Sequence, residues 1–400
     1  MMLSLAYLII FGMLGNVLFK TFKLPGLIGM LLAGMVIGPQ GLNLLDGTML
    51  AISEDLRKIA LIIILLRAGL GLNRRVLMRI GKKATALSII PVLFEGFFVL
   101  LLMMWLFDFH FVQAGMAGFI LAAVSPAVIV PAMLKLMKNK VGVKKNIPTL
   151  VLSAASVDDV IAITLFSTFL SIYFSQTVNV LGHILGIPIS IGLGILLGVL
   201  IGVVLVYLFN RYHMRDSNKV VLLIAIGIFM VSFSAMIEAY ILIASLLGVM
   251  ALGLVITERK KSLGERLSIK FDKVWVLAEL FLFVLVGAVV DIQVALQAGL
   301  LGLVVIAGGL LARSLGVVLA TCRTDFSWPE KSFLMIAFMP KATVQAAVGS
   351  IPLSLDVAGG EIILALAVLS ILVTAPLGAI GIQLFSRTLL HKSTEPHSQE

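Results

Sequence analysis

Composition and charge narrow the class of protein. The chain has 400 residues, of which 60% are apolar and only 12% charged, and its mean hydropathy is +1.16. A soluble domain carries about 25% charged residues, so the composition excludes soluble classes and indicates an all-α membrane protein with many spans. A net charge of +10 would suit a nucleic-acid partner, but the placement of the basic residues decides against one.

Thirteen apolar segments joined by short loops are predicted to be transmembrane helices. They cover residues 2–19, 25–40, 53–72, 84–107, 113–137, 147–174, 187–209, 219–236, 239–257, 272–291, 296–322, 331–352 and 361–386. The first segment has neither the basic n-region nor the cleavage site of a signal peptide, so it is predicted to be retained. No soluble domain is expected on either side of the segments.

Lysine and arginine residues lie mostly in alternate loops of this arrangement. With the N-terminus outside, the great majority of the 30 Lys and Arg residues fall on the cytoplasmic side, and only Arg57 and Lys58 fall outside. The positive-inside rule therefore predicts an outside N-terminus and a cytoplasmic C-terminus. The basic residues then face the cytoplasm and anionic lipid headgroups, and not nucleic acid.

Two segments are interrupted by proline. The fifth contains Pro126 and Pro131, and the twelfth contains Pro340 and Pro352. A proline removes an amide donor and clashes with the preceding turn, and broken backbone at membrane depth must be buried in protein or line a cavity. Because the two segments are seven apart, they run in opposite directions. This predicts inverted repeats, segments 4–6 and 11–13, with the two broken helices crossing.

Asp158 and Asp159 lie in the middle of the sixth segment, an apolar run long enough to cross the bilayer. An ionised carboxylate at that depth costs at least ~2.5 kcal/mol, and two neighbouring carboxylates also repel each other. The pair is therefore interpreted as an ion or proton site, in which both carboxylates could bind a small monovalent cation. Buried salt bridges with a purely structural role are the alternative.

Three further charged residues are predicted at the same depth. Arg313 cannot deprotonate in a protein, and its expected partner is Glu95, on the matching segment of the other repeat, in a mainly structural pair. Lys341 is expected either to neutralise one carboxylate or to occupy the site when no ion is bound. Structural anchoring and participation in transport both stay open for it. Candidate additional oxygen ligands are Ser125, Ser156, Thr343 and Gln345.

The remaining ionisable residues are not assigned to this site. Glu238 is expected at an outer turn, and Glu279 at the cytoplasmic entrance or at an interface. No histidine falls in mid-membrane and Cys322 is the single cysteine, so neither a resident metal centre nor a cofactor is expected. A site that holds a cation or a proton, but not both, becomes an exchanger when it opens alternately to each side.

The motifs at these positions carry a resemblance to a known family. The chain resembles the cation/proton antiporter superfamily, and most closely its NHA-type sodium/proton antiporters with paired aspartates, over roughly residues 5–390. The matching stretches are Ala123-Val124-Ser125-Pro126-Ala127-Val128-Ile129-Val130-Pro131, Ser156-Val157-Asp158-Asp159, Arg313 and Pro340-Lys341-Ala342-Thr343-Val344-Gln345-Ala346-Ala347.

The resemblance implies a transporter and not an enzyme, exchanging Na⁺ or Li⁺ for H⁺ across the cell (inner) membrane. Asp159 matches the main ion- and proton-binding aspartate, and Asp158 matches its companion. A homodimer is implied, in which an ion-carrying core slides against a dimerisation domain, with no soluble regulatory domain. The core would comprise residues 84–175 and 293–388, the scaffold 1–83 and 211–292, the linker 176–210, and the cytoplasmic tail 389–400.

One position departs from the family pattern. Electrogenic members with paired aspartates carry lysine where this chain has Arg313, so the proton-to-cation ratio stays open and an electroneutral cycle becomes credible. A K⁺/H⁺ antiporter of the same superfamily and a Na⁺-coupled organic solute symporter remain alternatives. A cation channel is disfavoured because Arg313 and Lys341 would oppose cation flow. An intramembrane aspartyl protease needs carboxylates on different segments.

Overall fold

The computed structural model describes residues 1–22, 24–72, 74–174, 180–237, 243–290 and 292–390, and these are mostly α-helical. The first half contains α1 (Met2–Thr21), α2 (Gly26–Ile37), α3 (Gly47–Ala51), α4 (Ser53–Gly71), α5 (Arg74–Leu106), α6 (Phe111–Ala122), α7 (Pro126–Lys138), α8 (Ile147–Phe174) and α9 (Val180–Arg211). The second half contains α10 (Asp216–Ile237), α11 (Ser245–Arg259), α12 (Lys261–Ala288), α13 (Ile292–Gln297), α14 (Gly299–Thr321), α15 (Trp328–Ala337), α16 (Thr343–Val348), α17 (Ile351–Ser354) and α18 (Gly360–Leu389).

Each of the thirteen predicted segments contains helix within the described ranges. The fifth is divided into α6 and α7, and the twelfth into α15, α16 and α17. Among the described residues, eight helices are long and apolar enough to cross a membrane, with α6 and α7 counted together. The other predicted segments are shorter (α2, α11), carry more charge (α4, α12) or are broken (α15 to α17). The protein is therefore an all-α, multi-pass membrane protein.

Two predicted helix starts were wrong by about three turns. Helix α5 begins at Arg74, where residue 84 was predicted, and α12 begins at Lys261, where residue 272 was predicted. The apolar pattern marks only the part of a helix inside hydrocarbon. Arginine and lysine are good helix formers, so both helices continue into the basic stretches that the sequence analysis placed in loops.

Two sets of helices pack mainly among themselves. One set comprises α1, α2, α4, α9, α10, α11 and α12, and the other comprises α5 to α8 and α13 to α18. The sets meet chiefly where α8 packs on α9 and where α4 packs on α7. Within the first set the backbones approach closely, since a Cβ added to Gly198 on α9 would lie 2.0 Å from the Gly248 carbonyl oxygen on α11.

A charged cluster joins helix α5 to two loop regions of the second set on the predicted cytoplasmic side. The Lys145 ammonium donates to Glu330 Oε2 (2.7 Å) and to the Asp325 carbonyl oxygen (2.6 Å), and the Lys83 ammonium donates to Asp325 Oδ1 (2.5 Å). Glu330 also caps α15 by accepting from Ser327. The cluster thus ties the loop after α7 to the start of α15.

The Lys83 contact lowers the pKa of the Asp325 carboxyl. Its stabilising effect is therefore complete above the ordinary carboxyl pKa of about 3.9 and is lost as the pH falls through the lower folded value. Because Asp325 is mostly exposed, this contribution is small.

Lys145→Met is expected to lower the melting temperature in detergent, because it leaves the nearly buried Glu330 carboxylate without its cation. The free energy of unfolding should fall by roughly 1–3 kcal/mol. The matched control is Lys144→Met, which removes an exposed lysine next to it and should melt like the wild type. Equal melting of the two variants would show that the cluster does not hold these loops together.

Candidate ion-binding site

The two interruptions of helix, between α6 and α7 and between α15 and α16, lie against each other. Helix α6 ends at Ala122 and α7 begins at Pro126, where the missing amide of a first-turn proline costs nothing. Across from it, the Ser125 amide donates to the carbonyl oxygen of Pro340 (2.9 Å) in the second break. The Ser125 and Thr343 hydroxyl oxygens are 3.4 Å apart. Both predicted interruptions are thus buried in protein, in contact with each other.

Arg313 on α14 is the centre of the charge network. Its Nη1 donates to Glu95 Oε2 (2.6 Å) and to the Ala122 carbonyl oxygen (2.5 Å), and its Nη2 donates to Asp158 Oδ1 (2.5 Å). All three side chains are at most 2% exposed. The predicted Glu95–Arg313 pair is present, and the planar guanidinium bonds a second carboxylate at the same time.

Lys341 pairs with Glu95 and with neither aspartate. Its ammonium donates to Glu95 Oε2 (2.7 Å) and to the Ala122 carbonyl oxygen (3.1 Å). The last carbonyl of α6 therefore receives two cations, which is the favourable arrangement at the negative end of a helix dipole. Of the alternatives left open for Lys341, the neutralisation of a carboxylate is what the geometry presents.

The two aspartates differ in their partners. Asp158 is fully buried, and while one oxygen binds Arg313 the other, Oδ2, accepts from the Val124 amide (3.2 Å). Asp159 is partly exposed, and its buried Oδ1 has no hydrogen-bond partner among the described residues. Of the two neighbouring carboxylates, Asp159 alone within the described ranges is left free to bind something else.

The candidate oxygen ligands divide into two groups. Gln345 lies at the break, where its Nε2 donates to the carbonyl oxygens of Ile120 (2.9 Å) and Ala123 (2.8 Å). Ser156 is not brought to the break, because its hydroxyl donates to the Leu152 carbonyl oxygen (3.0 Å) one turn earlier and faces the Met250 sulfur.

A family model matches nearly the whole chain. The family model described as "Sodium/hydrogen exchanger, transmembrane" matches residues 5–387. The chain belongs to the sodium/hydrogen exchanger family. It is therefore a membrane transporter and not an enzyme.

Individual relatives cover nearly the whole of this exchanger. It is 34% identical to human sodium/hydrogen exchanger 9B2 over 397 residues, which is 94% of this chain and 72% of that protein. It is also 34% identical to human sodium/hydrogen exchanger 9B1, over 93% of this chain and 74% of that protein. The structure of the sodium proton antiporter MjNhaP1 from Methanocaldococcus jannaschii has the same fold, with a TM-score of 0.75, 20% identity, and coverage of 96% and 95% of the two chains.

Glu279 of this exchanger is not part of the network around Arg313. It is half-buried on α12, in the field of Lys20 and Arg67, within the set of helices that contains α1 and α4. Arg67 itself forms an ion pair with Asp272. Glu238 lies outside the described residues.

Sequence reasoning missed two residues of the site. The Thr374 hydroxyl on α18 accepts from the Lys341 amide (2.9 Å) and so fixes the second break. The Phe338 ring lies 5.6 Å from the Arg313 guanidinium carbon. Neither residue could be singled out, because threonine and phenylalanine are common in apolar helices and most serve packing there.

Proposed function

We propose that this exchanger trades Na⁺ or Li⁺ for H⁺ at Asp159, with Asp158 as its companion. The observation that carries the proposal is the unpartnered Asp159 carboxylate next to Glu95, Asp158, Arg313 and Lys341, each of which is in an ion pair. A carboxylate oxygen is a good ligand for a small hard cation and also for a proton.

Charge balance supports competition between the two ions. With Glu95, Asp158 and Asp159 ionised and with Arg313 and Lys341 protonated, the buried network carries one net negative charge. One Na⁺ or one H⁺ neutralises it, and a second positive charge would leave an uncompensated charge in a low-dielectric interior. Binding of one ion therefore excludes the other, and the simplest cycle exchanges them one for one.

The packing of the helices supports an elevator cycle. We propose it for the thirteen-span, inverted-repeat homodimer that the family resemblance implies. The site lies within the set containing α5 to α8 and α13 to α18, and this set has limited contact with the other set. Beside the aspartates, Val157 and Val160 adjoin an apolar cluster that contains Leu72, Leu247 and Met250. Apolar contact is non-directional, so such a surface permits sliding. The first set would then hold the dimer interface.

The test uses purified protein in proteoliposomes that contain a pH-sensitive dye. The protein is inserted either in its orientation in the cell membrane or in both orientations. Addition of Na⁺ or Li⁺ should drive protons across the membrane in the direction opposite to the added cation, and K⁺ should have little effect. Exchange driven by K⁺ in place of Na⁺ would favour a K⁺/H⁺ antiporter. Proton movement in the same direction as the cation, or none, would overturn the proposal.

Arg313→Lys is expected to retain exchange, because lysine keeps the positive charge between Glu95 and Asp158. Lysine lacks the planar fork that bonds both carboxylates at once, so the melting temperature should fall. It can also release a proton, which arginine cannot. Wild-type exchange should therefore be unaffected by a clamped membrane potential, while exchange by Arg313→Lys should become sensitive to it.

The matched control is Arg313→Met, which removes the charge and should abolish exchange. Loss of exchange in Arg313→Lys as severe as in Arg313→Met would mean that the fork itself, and not the charge, is required.

A further inference from the structure

The Gln345 side chain has a defined orientation at the meeting point of the two breaks. It is 1% exposed, and its Nε2 lies 2.9 Å from the Ile120 carbonyl oxygen and 2.8 Å from that of Ala123. Carbonyl oxygens only accept hydrogen bonds, and only the amide nitrogen of glutamine donates them. The nitrogen must therefore face α6, and Oε1 must point away from it.

Gln345 Oε1 is a second oxygen of the site that has no partner among the described residues. It is buried and has no hydrogen-bond partner within the described ranges, as is also true of Asp159 Oδ1. Both residues lie at the same break: Gln345 bonds the carbonyl of Ala123, and Asp159 directly follows Asp158, which bonds the amide of Val124. A buried acceptor that is left unpaired is unfavourable, so this pair of oxygens fits a shared ligand.

We propose that Gln345 Oε1 is a neutral ligand of the transported cation and determines the preference of the site among alkali cations. The inference rests on the proposed exchange at Asp159. A cation that leaves water must replace several hydration oxygens, and amide oxygens do this without adding charge. A proton needs only the carboxylate that it binds. Gln345 therefore contributes to cation binding and not to proton binding.

A neutral ligand leaves the network with one net negative charge, which one cation or one proton can neutralise. A further carboxylate at position 345 would raise the negative charge of the network by one unit, and the site would then hold a cation and a proton together. An amide oxygen supplies coordination while leaving one positive charge as the full complement of the site.

The experiment measures KM for Na⁺ and for Li⁺ separately, together with the pH dependence of exchange, in proteoliposomes. Gln345→Met keeps the length of the side chain and removes the oxygen. It should raise KM for Na⁺ by about tenfold, the equivalent of one lost favourable contact, and should change the ratio of the Na⁺ and Li⁺ KM values. The pH at which protons compete with the cation should shift only as far as the weaker cation binding requires.

A matched control separates this role from the support that Nε2 gives to α6. Gln113→Met makes the same substitution at the other end of α6, where the buried Gln113 Nε2 donates to the Ala358 carbonyl oxygen (3.0 Å). It should lower the melting temperature and leave the ratio of the two KM values unchanged. If Gln345→Met changes both KM values by a common factor, as a loss of structural support would, the inference is overturned.

Failure of the inference is distinguishable from failure of the proposed function. Normal exchange by Asp159→Asn would remove the proposed site altogether, whereas an inactive Asp159→Asn with unaltered KM values in Gln345→Met would remove only the role of Gln345. If Gln345→Met does not fold, Gln345→Asn takes its place. That variant keeps the amide but draws its oxygen back, with the same two outcomes for the KM ratio.

Discussion

Asp159→Asn is expected to reduce Na⁺- and Li⁺-driven proton movement to the level of empty liposomes while the protein still folds. The amide keeps the shape of the side chain but neither carries the negative charge nor takes up a proton. Because no described residue forms an ion pair or hydrogen bond with the Asp159 carboxylate, the substitution removes no stabilising contact. It also relieves the repulsion between neighbouring carboxylates, so the melting temperature in detergent should equal or exceed that of the wild type.

Asp158→Asn is the matched control, since it makes the same chemical change one residue earlier. It breaks the ion pair with Arg313, in which both side chains are almost completely buried. Breaking a buried pair costs about 3–5 kcal/mol, so this variant should melt well below Asp159→Asn. Normal exchange by Asp159→Asn, or an equal loss of stability in the two variants, would contradict the different roles given to the two aspartates.

The sequence was most informative where the bilayer itself imposes the pattern. Apolar length located the helices, and two proline interruptions located the breaks that meet at Ser125 and Pro340. It was least informative at the first turns of α5 and α12. There, helix continues into basic residues that no longer need to be apolar, and the hydrophobic pattern gives no end point.

Within the site, the sequence predicted which charged residues lie at the same depth, but not which way each side chain points. Depth along the helices brought Glu95 and Arg313 together, because ionised residues inside a membrane need partners at their own level. That Arg313 also binds Asp158 depends on how the helices are rotated in the fold. The same uncertainty explains why Ser156 was expected to be an additional ligand candidate at the break, where the structure does not place it. Its hydroxyl donates to a carbonyl of its own helix, which is an alternative partner for any serine in a helix.

Glu95→Ala is expected to cause the largest loss of stability among these variants. Glu95 Oε2 is the shared acceptor of Arg313 and Lys341, and all three side chains are nearly inaccessible to water. Its removal leaves the Lys341 ammonium with the Ala122 carbonyl oxygen as its only remaining contact among those described for it. An uncompensated buried charge costs about 3–5 kcal/mol, so the variant should melt far below the wild type in detergent.

The selectivity of Glu95→Ala should change much less than its stability. The carboxylate is fully engaged by two cations, so it is not a ligand of the transported ion, and any residual exchange should keep the wild-type ratio of Na⁺ to Li⁺ activity. Glu95→Gln is the matched control, because it retains an acceptor oxygen without the charge. Its melting temperature should lie between those of the wild type and Glu95→Ala. Unchanged melting of Glu95→Ala would rule out the structural pair with Arg313. A changed cation preference would instead place Glu95 in direct contact with the ion, because a residue that acts only through Arg313 and Lys341 has no means of distinguishing Na⁺ from Li⁺.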